Sequence, residues 1–158
     1  MVLKNKGMFL ESILNHNIER LNMDKKCQIY KMAINSKIIS KENDKFLVTL
    51  NKNYFCDYIG IYQGRYVEFE AKETELTYFN LTNIKKHQLQ KIKQINELGG
   101  IGFFIIYFHI TNDYFYLTVD NLLNLNTNKV PYSWFVDSDQ TINTDGLNLY
   151  LESILSSF

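Results

Sequence analysis

The pattern of apolar and polar residues divides the chain into segments of different periodicity. Residues 8–22 repeat apolar side chains at helical spacing, which predicts a first helix. Residues 101–108 (IGFFIIYF) are apolar without interruption, which is typical of a strand buried on both faces. Residues 83–98 again show helical spacing. We expect a second helix there, with Thr82 as its N-cap, Leu98 on its inward stripe and Gly99-Gly100 after its end.

The stretch 54–74 (YFCDYIGIYQGRYVEFEAKET) carries the most specific local signal. Two β-rich runs flank Gln63-Gly64, which predicts a hairpin with a two-residue turn. If Tyr62 pairs with Arg65, Asp57 lies opposite Glu70, and directly opposed residues have Cβ atoms ~4.5–5.5 Å apart. Two carboxylates so placed repel each other unless a divalent cation lies between them.

Side chains alternate along a strand, so Glu70 and Lys72 share one face of the second hairpin strand and Ala71 lies on the other. Asp57 followed by Glu70-Ala71-Lys72 resembles the active-site signature of the PD-(D/E)xK nuclease superfamily. The tripeptide alone is a weak signal, because it occurs by chance in many chains.

The wider string is more specific, and it resembles the RecU family of Holliday junction resolvases. The similarity includes Gly64-Arg65-Tyr66 and 69–74 (FEAKET), and it extends upstream to Asn5-Lys6-Gly7-Met8 with Glu11 and downstream to His87-Gln88. It covers most of residues 5–120. The resemblance implies an α/β, restriction-endonuclease-like fold, a mixed central sheet flanked by helices, forming one nuclease domain over residues 1–158.

The resemblance also implies a metal site. Asp57 and Glu70 would hold Mg²⁺ or Mn²⁺, helped by the backbone carbonyl of Ala71 and by Glu11. Lys72 would stabilise developing negative charge rather than act as a base, because neighbouring carboxylates favour the ammonium form.

Two of the assigned site residues also have a simpler interpretation. Gln88 faces the hairpin from the second helix and is a further catalytic candidate, although a glutamine on a helix flank is usually a surface residue. Glu11 borders the apolar stripe of the first helix, and helical pattern alone favours a solvated glutamate.

The charge distribution is uneven although the net charge is zero. Residues 1–56 hold ten Lys and Arg against five Asp and Glu, whereas residues 101–158 hold one against six. This asymmetry predicts a basic face built from the N-terminal third, able to contact DNA phosphates; ordinary solvated lysines are the alternative.

RecU proteins carry a basic projection, the stalk, after their first strand. Here residues 35–53 are a shorter counterpart, without the family's proline-containing entry, and 32–35 read MAIN. We assign DNA contacts in this segment to four lysines: Lys37, Lys41, Lys45 and Lys52.

The remaining composition favours a packed globular protein. Hydrophobic residues make up 46% of the chain, which argues against intrinsic disorder. Cys27 and Cys56 form no metal-binding pattern, and we expect two reduced thiols. With no run of ~18 apolar residues and no signal peptide pattern at the start, we expect a cytoplasmic protein without membrane contact.

The resemblance therefore implies resolution of four-way DNA junctions by two symmetric cuts, made by a homodimer because one domain carries one metal site. It further implies contacts with recombinase and branch-migration proteins. Two alternatives stay open at this point. One is another PD-(D/E)xK nuclease that cuts duplex or flap DNA, and the other is a non-catalytic junction-binding modulator of recombination.

Overall fold

The computed structural model describes residues 8–33, 36–50 and 54–158. The strands are β1 (Gln28–Lys31), β2 (Ser36–Glu42), β3 (Lys45–Leu50), β4 (Tyr58–Tyr62), β5 (Arg65–Thr74), β6 (Tyr78–Asn80), β7 (Ile101–Phe108), β8 (Asp113–Leu117), β9 (Lys129–Pro131), β10 (Thr144–Asp145) and β11 (Asn148–Leu149). The helices are α1 (Met8–Met23), α2 (Lys86–Glu97), α3 (Val119–Leu123), α4 (Tyr132–Asp137) and α5 (Leu151–Leu155), and a 3₁₀ turn spans Leu81–Asn83.

A mixed five-stranded sheet forms the centre of the molecule, in the order β1-β4-β5-β7-β8. Strands β5 and β7 are parallel, and the other neighbouring pairs are antiparallel. The connection between β5 and β7 contains α2, as a parallel pair requires a crossover. This arrangement confirms the expected mixed sheet flanked by helices.

Each face of the sheet packs against its own hydrophobic core. All eight residues of β7 are buried, as expected from its unbroken apolar sequence. Alternate residues, such as Ile105 and Ile106, point into opposite cores. One core includes residues of α1 and α5, and the other lies beneath α2, α3 and α4. The sheet is therefore the middle of three layers.

Aromatic rings connect the strands within the first core. Tyr58 stacks on Phe69 with ring centroids 4.8 Å apart, and Phe69 stacks on Phe103 at 4.9 Å. These residues come from three adjacent strands, β4, β5 and β7. Stacked aromatic pairs stabilise a particular cross-strand alignment, so this row of rings favours the register that brings Asp57 next to Glu70.

The hairpin between β4 and β5 has the geometry that its sequence predicts. Gln63 and Gly64 have φ values of 48° and 78°, and two positive φ angles characterise the type I′ turn that matches strand twist. Gly60 allows β1 to approach β4, because a Cβ there would lie 2.1 Å from the carbonyl oxygen of Gln28.

The structure corrects the expected start and end of the second helix. α2 begins at Lys86, and Thr82 lies in the 3₁₀ turn, where its backbone N–H donates to the Asn80 side chain at 3.1 Å. Asn80 therefore caps a separate short turn, and Ile84 is extended. The helix ends at Glu97, and Leu98 is 80% exposed instead of inward-facing.

Residues 36–50 form a separate hairpin of β2 and β3, within the segment expected to be stalk-like. Its described side chains, from 37 to 49, are all exposed. The pairing shifts between Ile38 and Ser40, which marks a bulge in β2. Among the described residues, no helix combines the length and apolar character that crossing a bilayer requires.

Candidate active site

The β4–β5 register brings the two hairpin carboxylates together. Tyr62 pairs with Arg65 and Tyr58 with Phe69, so Asp57, one residue before β4, comes next to Glu70. The Asp57 backbone N–H donates to Glu70 Oε2 at 3.2 Å, and the Ala71 N–H donates to Asp57 Oδ2 at 2.9 Å. Each carboxylate is thus fixed by the backbone of the neighbouring strand, as the predicted pairing requires.

Glu70 is the centre of the polar contacts. It is only 4% exposed, and its Oε1 accepts from Lys72 Nζ at 2.7 Å and from Gln88 Nε2 at 2.5 Å. Gln88 Oε1 in turn accepts the Lys85 backbone N–H at 2.9 Å. The first turn of α2 is therefore tied to Glu70, and Gln88 lies at the position that the sequence predicts.

The electrostatics of the site disfavour two ionised carboxylates in the absence of a cation. Burial and the charge of Glu70 raise the pKa of Asp57 to about 6, and the Ala71 N–H and Lys72 only partly offset this effect. Burial and nearby carboxylates also raise the pKa of the Cys56 thiol well above its usual range. Cys27 and Cys56 are free, buried thiols.

The residues present fit a hard divalent cation. Two carboxylates lie on neighbouring strands, and Lys72 donates to one of them, Glu70. Oxygen ligands are those that Mg²⁺ and Mn²⁺ prefer. Within the described residues, no group of three His, Cys, Asp or Glu side chains is arranged to hold a metal ion. Mg²⁺ commonly binds through one or two carboxylates and retains several waters, so the pair is sufficient.

Glu11 lies in the first turn of α1 and forms an ion pair with Lys31. Its charge contributes to raising the pKa of Asp57, and Tyr58 donates its hydroxyl to the Glu11 carbonyl at 3.3 Å. These contacts place the start of α1 beside the carboxylate pair. A role of Glu11 or of the Ala71 carbonyl as a metal ligand stays a prediction.

The structure shows three of the four predicted stalk lysines. Lys37, Lys41 and Lys45 are exposed on the β2–β3 hairpin, and Lys52 lies outside the described residues. Lys41 lies 4.0 Å from an Asp44 carboxylate oxygen and 5.4 Å from the centre of the Phe46 ring. Their contact with DNA stays a prediction.

Sequence reasoning missed Glu68, which is completely buried on β5. Its Oε1 accepts the Cys56 backbone N–H at 2.7 Å, and its Oε2 accepts the Tyr66 hydroxyl at 2.6 Å. The signal was present, because the alternation that puts Glu70 and Lys72 on one face puts Glu68 there as well. A glutamate inside an apolar β-strand is expected to point to solvent unless its partners are known.

This sheet, with an opposed carboxylate pair at the edge of an antiparallel β4–β5 hairpin, defines the restriction-endonuclease-like class of α/β proteins. The solved structure of Archaeoglobus fulgidus Hjc, described as a Holliday junction resolvase from an archaeal hyperthermophile, shares this fold. It aligns with a TM-score of 0.52 and 10% sequence identity, over 82% of this chain and 87% of that one. At this identity the similarity concerns the fold alone.

The model of the RecU family, recombination protein U, matches residues 5–154, and the chain belongs to this family. The Holliday junction resolvase RecU of Mycoplasmopsis pulmonis (strain UAB CTIP) is 39% identical over 129 residues, covering 82% of this chain and 78% of that protein. The Holliday junction resolvase RecU of Ureaplasma parvum serovar 3 is 32% identical over 138 residues, with coverages of 85% and 81%. The resemblance found in the sequence is thereby confirmed.

Proposed function

We propose that this protein resolves four-way DNA junctions by metal-dependent hydrolysis of the phosphodiester backbone. The observation that carries the proposal is the adjacent carboxylates of half-buried Asp57 and buried Glu70, in a chain of the RecU family. Each carboxylate accepts a backbone N–H from the neighbouring strand, and Lys72 donates to Glu70. Two adjacent, desolvated carboxylates cost stability unless a cation compensates them. The presence of this carboxylate pair next to Lys72 favours a catalytic site over a chance arrangement of charged residues.

The roles of the side chains follow from their contacts. Asp57 and Glu70 would hold Mg²⁺ or Mn²⁺, and the ion would supply Lewis-acid activation of the scissile phosphate and of a water molecule. Lys72 is 21% exposed at its side chain, so its ammonium group can reach a phosphate and stabilise the charge that develops there. Gln88 orients Glu70 through its amide and ties that orientation to α2.

Two basic surfaces are available for the phosphate backbone. The first is the β2–β3 hairpin with its exposed lysines, which we assign to the family's stalk. The second surface is the exposed start of α2, where Lys85, Lys86 and His87 flank Gln88. Lys91 lies one turn further, with its Nζ 5.2 Å from the centre of the ring of Phe55, two residues before Asp57. No carboxylate occurs between residues 76 and 96, so this surface attracts an anion.

Symmetric resolution requires two active sites, and we propose that two copies of the chain form a C2 homodimer on the junction. Recombinase and branch-migration proteins are proposed partners in the cytoplasm, because a resolvase acts on their product.

A competition assay tests this function. A labelled four-way junction and a linear duplex of matched sequence are incubated with the protein in Mg²⁺, in Mn²⁺ or in EDTA. We expect nicking in a divalent metal, none in EDTA, and faster cutting of the junction than of the duplex. Equal cutting of both substrates would show that the protein is a general nuclease. Tight junction binding without cleavage in either metal would show that it is a non-catalytic binding protein.

A further inference from the structure

Glu68 stands out among the charged side chains because nothing nearby balances its charge. Of the described Asp, Glu, Lys and Arg residues, only Glu68 and Glu70 are buried, and Glu68 has no measurable exposure. Glu70 is paired with Lys72. Glu68 forms no ion pair with any described residue. Burying an unpaired carboxylate is costly, so hydrophobic packing does not account for this residue.

The two partners of Glu68 indicate what it does. One is the Tyr66 hydroxyl, which is two residues away on the same strand, and the other is the backbone N–H of Cys56, twelve residues away. Hydrogen bonds to a charged acceptor are roughly twice as strong as neutral ones. The bond at 2.7 Å to Cys56 therefore fixes the Phe55–Cys56 peptide, one residue before Asp57.

That peptide lies outside the regular strand pairing. The β4–β5 ladder ends with Tyr58 and Phe69, so the N–H groups of Cys56 and Asp57 are bonded by side chains instead of by β5 backbone. Consecutive N–H groups donate to Glu68 and Glu70, and the carbonyl of Asp57 accepts the Met32 N–H at 2.7 Å. Glu68 is the side chain of this set that is not itself one of the carboxylate pair.

We propose that Glu68 is a positioning residue, which holds the Cys56 amide so that the Asp57 carboxylate stays beside Glu70 in the arrangement that binds a divalent cation. The inference rests on the proposed metal site, and it assigns Glu68 no contact with metal or substrate. Partners that orient metal ligands typically contribute ten- to hundredfold in metal affinity.

The main test is the variant Glu68→Met, which has a similar length and no hydrogen-bond acceptor for the amide. Met leaves the Cys56 N–H and the Tyr66 hydroxyl without their acceptor, so the midpoint of urea unfolding is expected to fall, as it is in Tyr66→Phe. The affinity for Mn²⁺, measured by calorimetry, is expected to fall by about ten- to hundredfold. In the metal-free protein, hydrogen exchange of the Cys56 amide is expected to accelerate.

Two further variants separate positioning from general stability. Glu68→Gln keeps an oxygen acceptor for the Cys56 N–H, so Mn²⁺ affinity is expected within about threefold of wild type, a small effect compared with the loss of an orienting partner. Tyr66→Phe keeps the Cys56 bond but leaves the second oxygen without its donor. Its unfolding midpoint is expected to fall while Mn²⁺ affinity and Cys56 protection are retained.

Wild-type Mn²⁺ affinity in Glu68→Met would overturn the inference. The inference would also be overturned if Mn²⁺ affinity fell in proportion to the free energy of unfolding across all three variants. If Glu68→Met does not fold, the remaining pair decides, because weak binding by Glu68→Gln, or weak binding by Tyr66→Phe, contradicts positioning through the Cys56 amide. A wild-type protein that binds no Mn²⁺ would instead overturn the proposed function.

Discussion

Asp57 is a side chain whose charge opposes folding in the metal-free protein. Its pKa is raised from 3.8 to about 6, so the folded state binds a proton more tightly than the unfolded state does. The contribution of this proton to stability is present at low pH and is lost as pH rises through the folded-state pKa. At pH 8 the ionised Asp57 therefore lowers the free energy of unfolding.

The variant Asp57→Asn removes that charge and keeps an oxygen for the Ala71 N–H. In EDTA at pH 8 it is expected to be more stable than wild type by roughly 1–2 kcal/mol, since one pKa unit corresponds to about 1.4 kcal/mol. The advantage is expected to shrink between pH 6 and pH 4. Urea denaturation across this range measures it. A variant that is no more stable than wild type at pH 8 contradicts the electrostatic account.

Gln88 provides a second residue-scale prediction. Gln88→Leu removes the bonds to Glu70 and to the Lys85 N–H, so the rate of junction cleavage is expected to fall by about ten- to hundredfold. Stability is expected to change little, because the side chain is only half-buried. Gln90→Leu, an exposed position on the same helix, is the matched control. Equal losses of cleavage rate in Gln88→Leu and Gln90→Leu would show that the effect comes from α2 as a whole and not from the bond to Glu70.

At the scale of elements, the two basic surfaces are expected to contribute differently. Lys86→Gln and Lys91→Gln on α2 are expected to weaken binding of duplex and junction alike. Each is expected to reduce the slope of log affinity against log salt by about 0.9, because one phosphate contact is lost. Lys93→Gln is the control, since Lys93 lies further along α2 and pairs with Glu97. An unchanged slope in the first two variants contradicts the α2 surface.

The triple variant Lys37→Gln, Lys41→Gln, Lys45→Gln tests the β2–β3 hairpin. Under the proposed stalk role the hairpin recognises the shape of the junction, so the ratio of junction to duplex cleavage is expected to fall towards one while duplex nicking persists. Competition between the two labelled substrates measures the ratio. If both rates fall equally, the hairpin acts as an ordinary phosphate contact.

The elements also show how far the sequence predicts the structure. The hairpin and its register followed from Gln63-Gly64, because a turn of two residues with positive φ leaves little freedom. The start of α2 did not follow from the sequence, because Asn80 caps a 3₁₀ turn over the residues where the helix was expected to begin. Alternation along β5 places Glu68 on the face of Glu70 and Lys72, but its partner is a backbone amide twelve residues away, which no local pattern reveals.

At the scale of the molecule, the two-site requirement predicts a dimer. Tyr30 on β1, the outermost strand of the sheet, is 61% exposed. An exposed aromatic side chain on an edge strand favours association with another chain. Sedimentation equilibrium is expected to give a dimer for the wild type and weaker association for Tyr30→Lys. A monomer in the presence of junction DNA would contradict the two-site mechanism.

The most direct test of the central claim maps nicks on all four strands of a synthetic junction. Each strand is labelled in turn, and the wild type is compared with Asp57→Asn in Mg²⁺ and in EDTA. The account predicts paired nicks at symmetric positions on two opposite strands, dependent on metal and absent from Asp57→Asn. Cuts that persist in the variant or in EDTA would contradict a metal site built on Asp57 and Glu70.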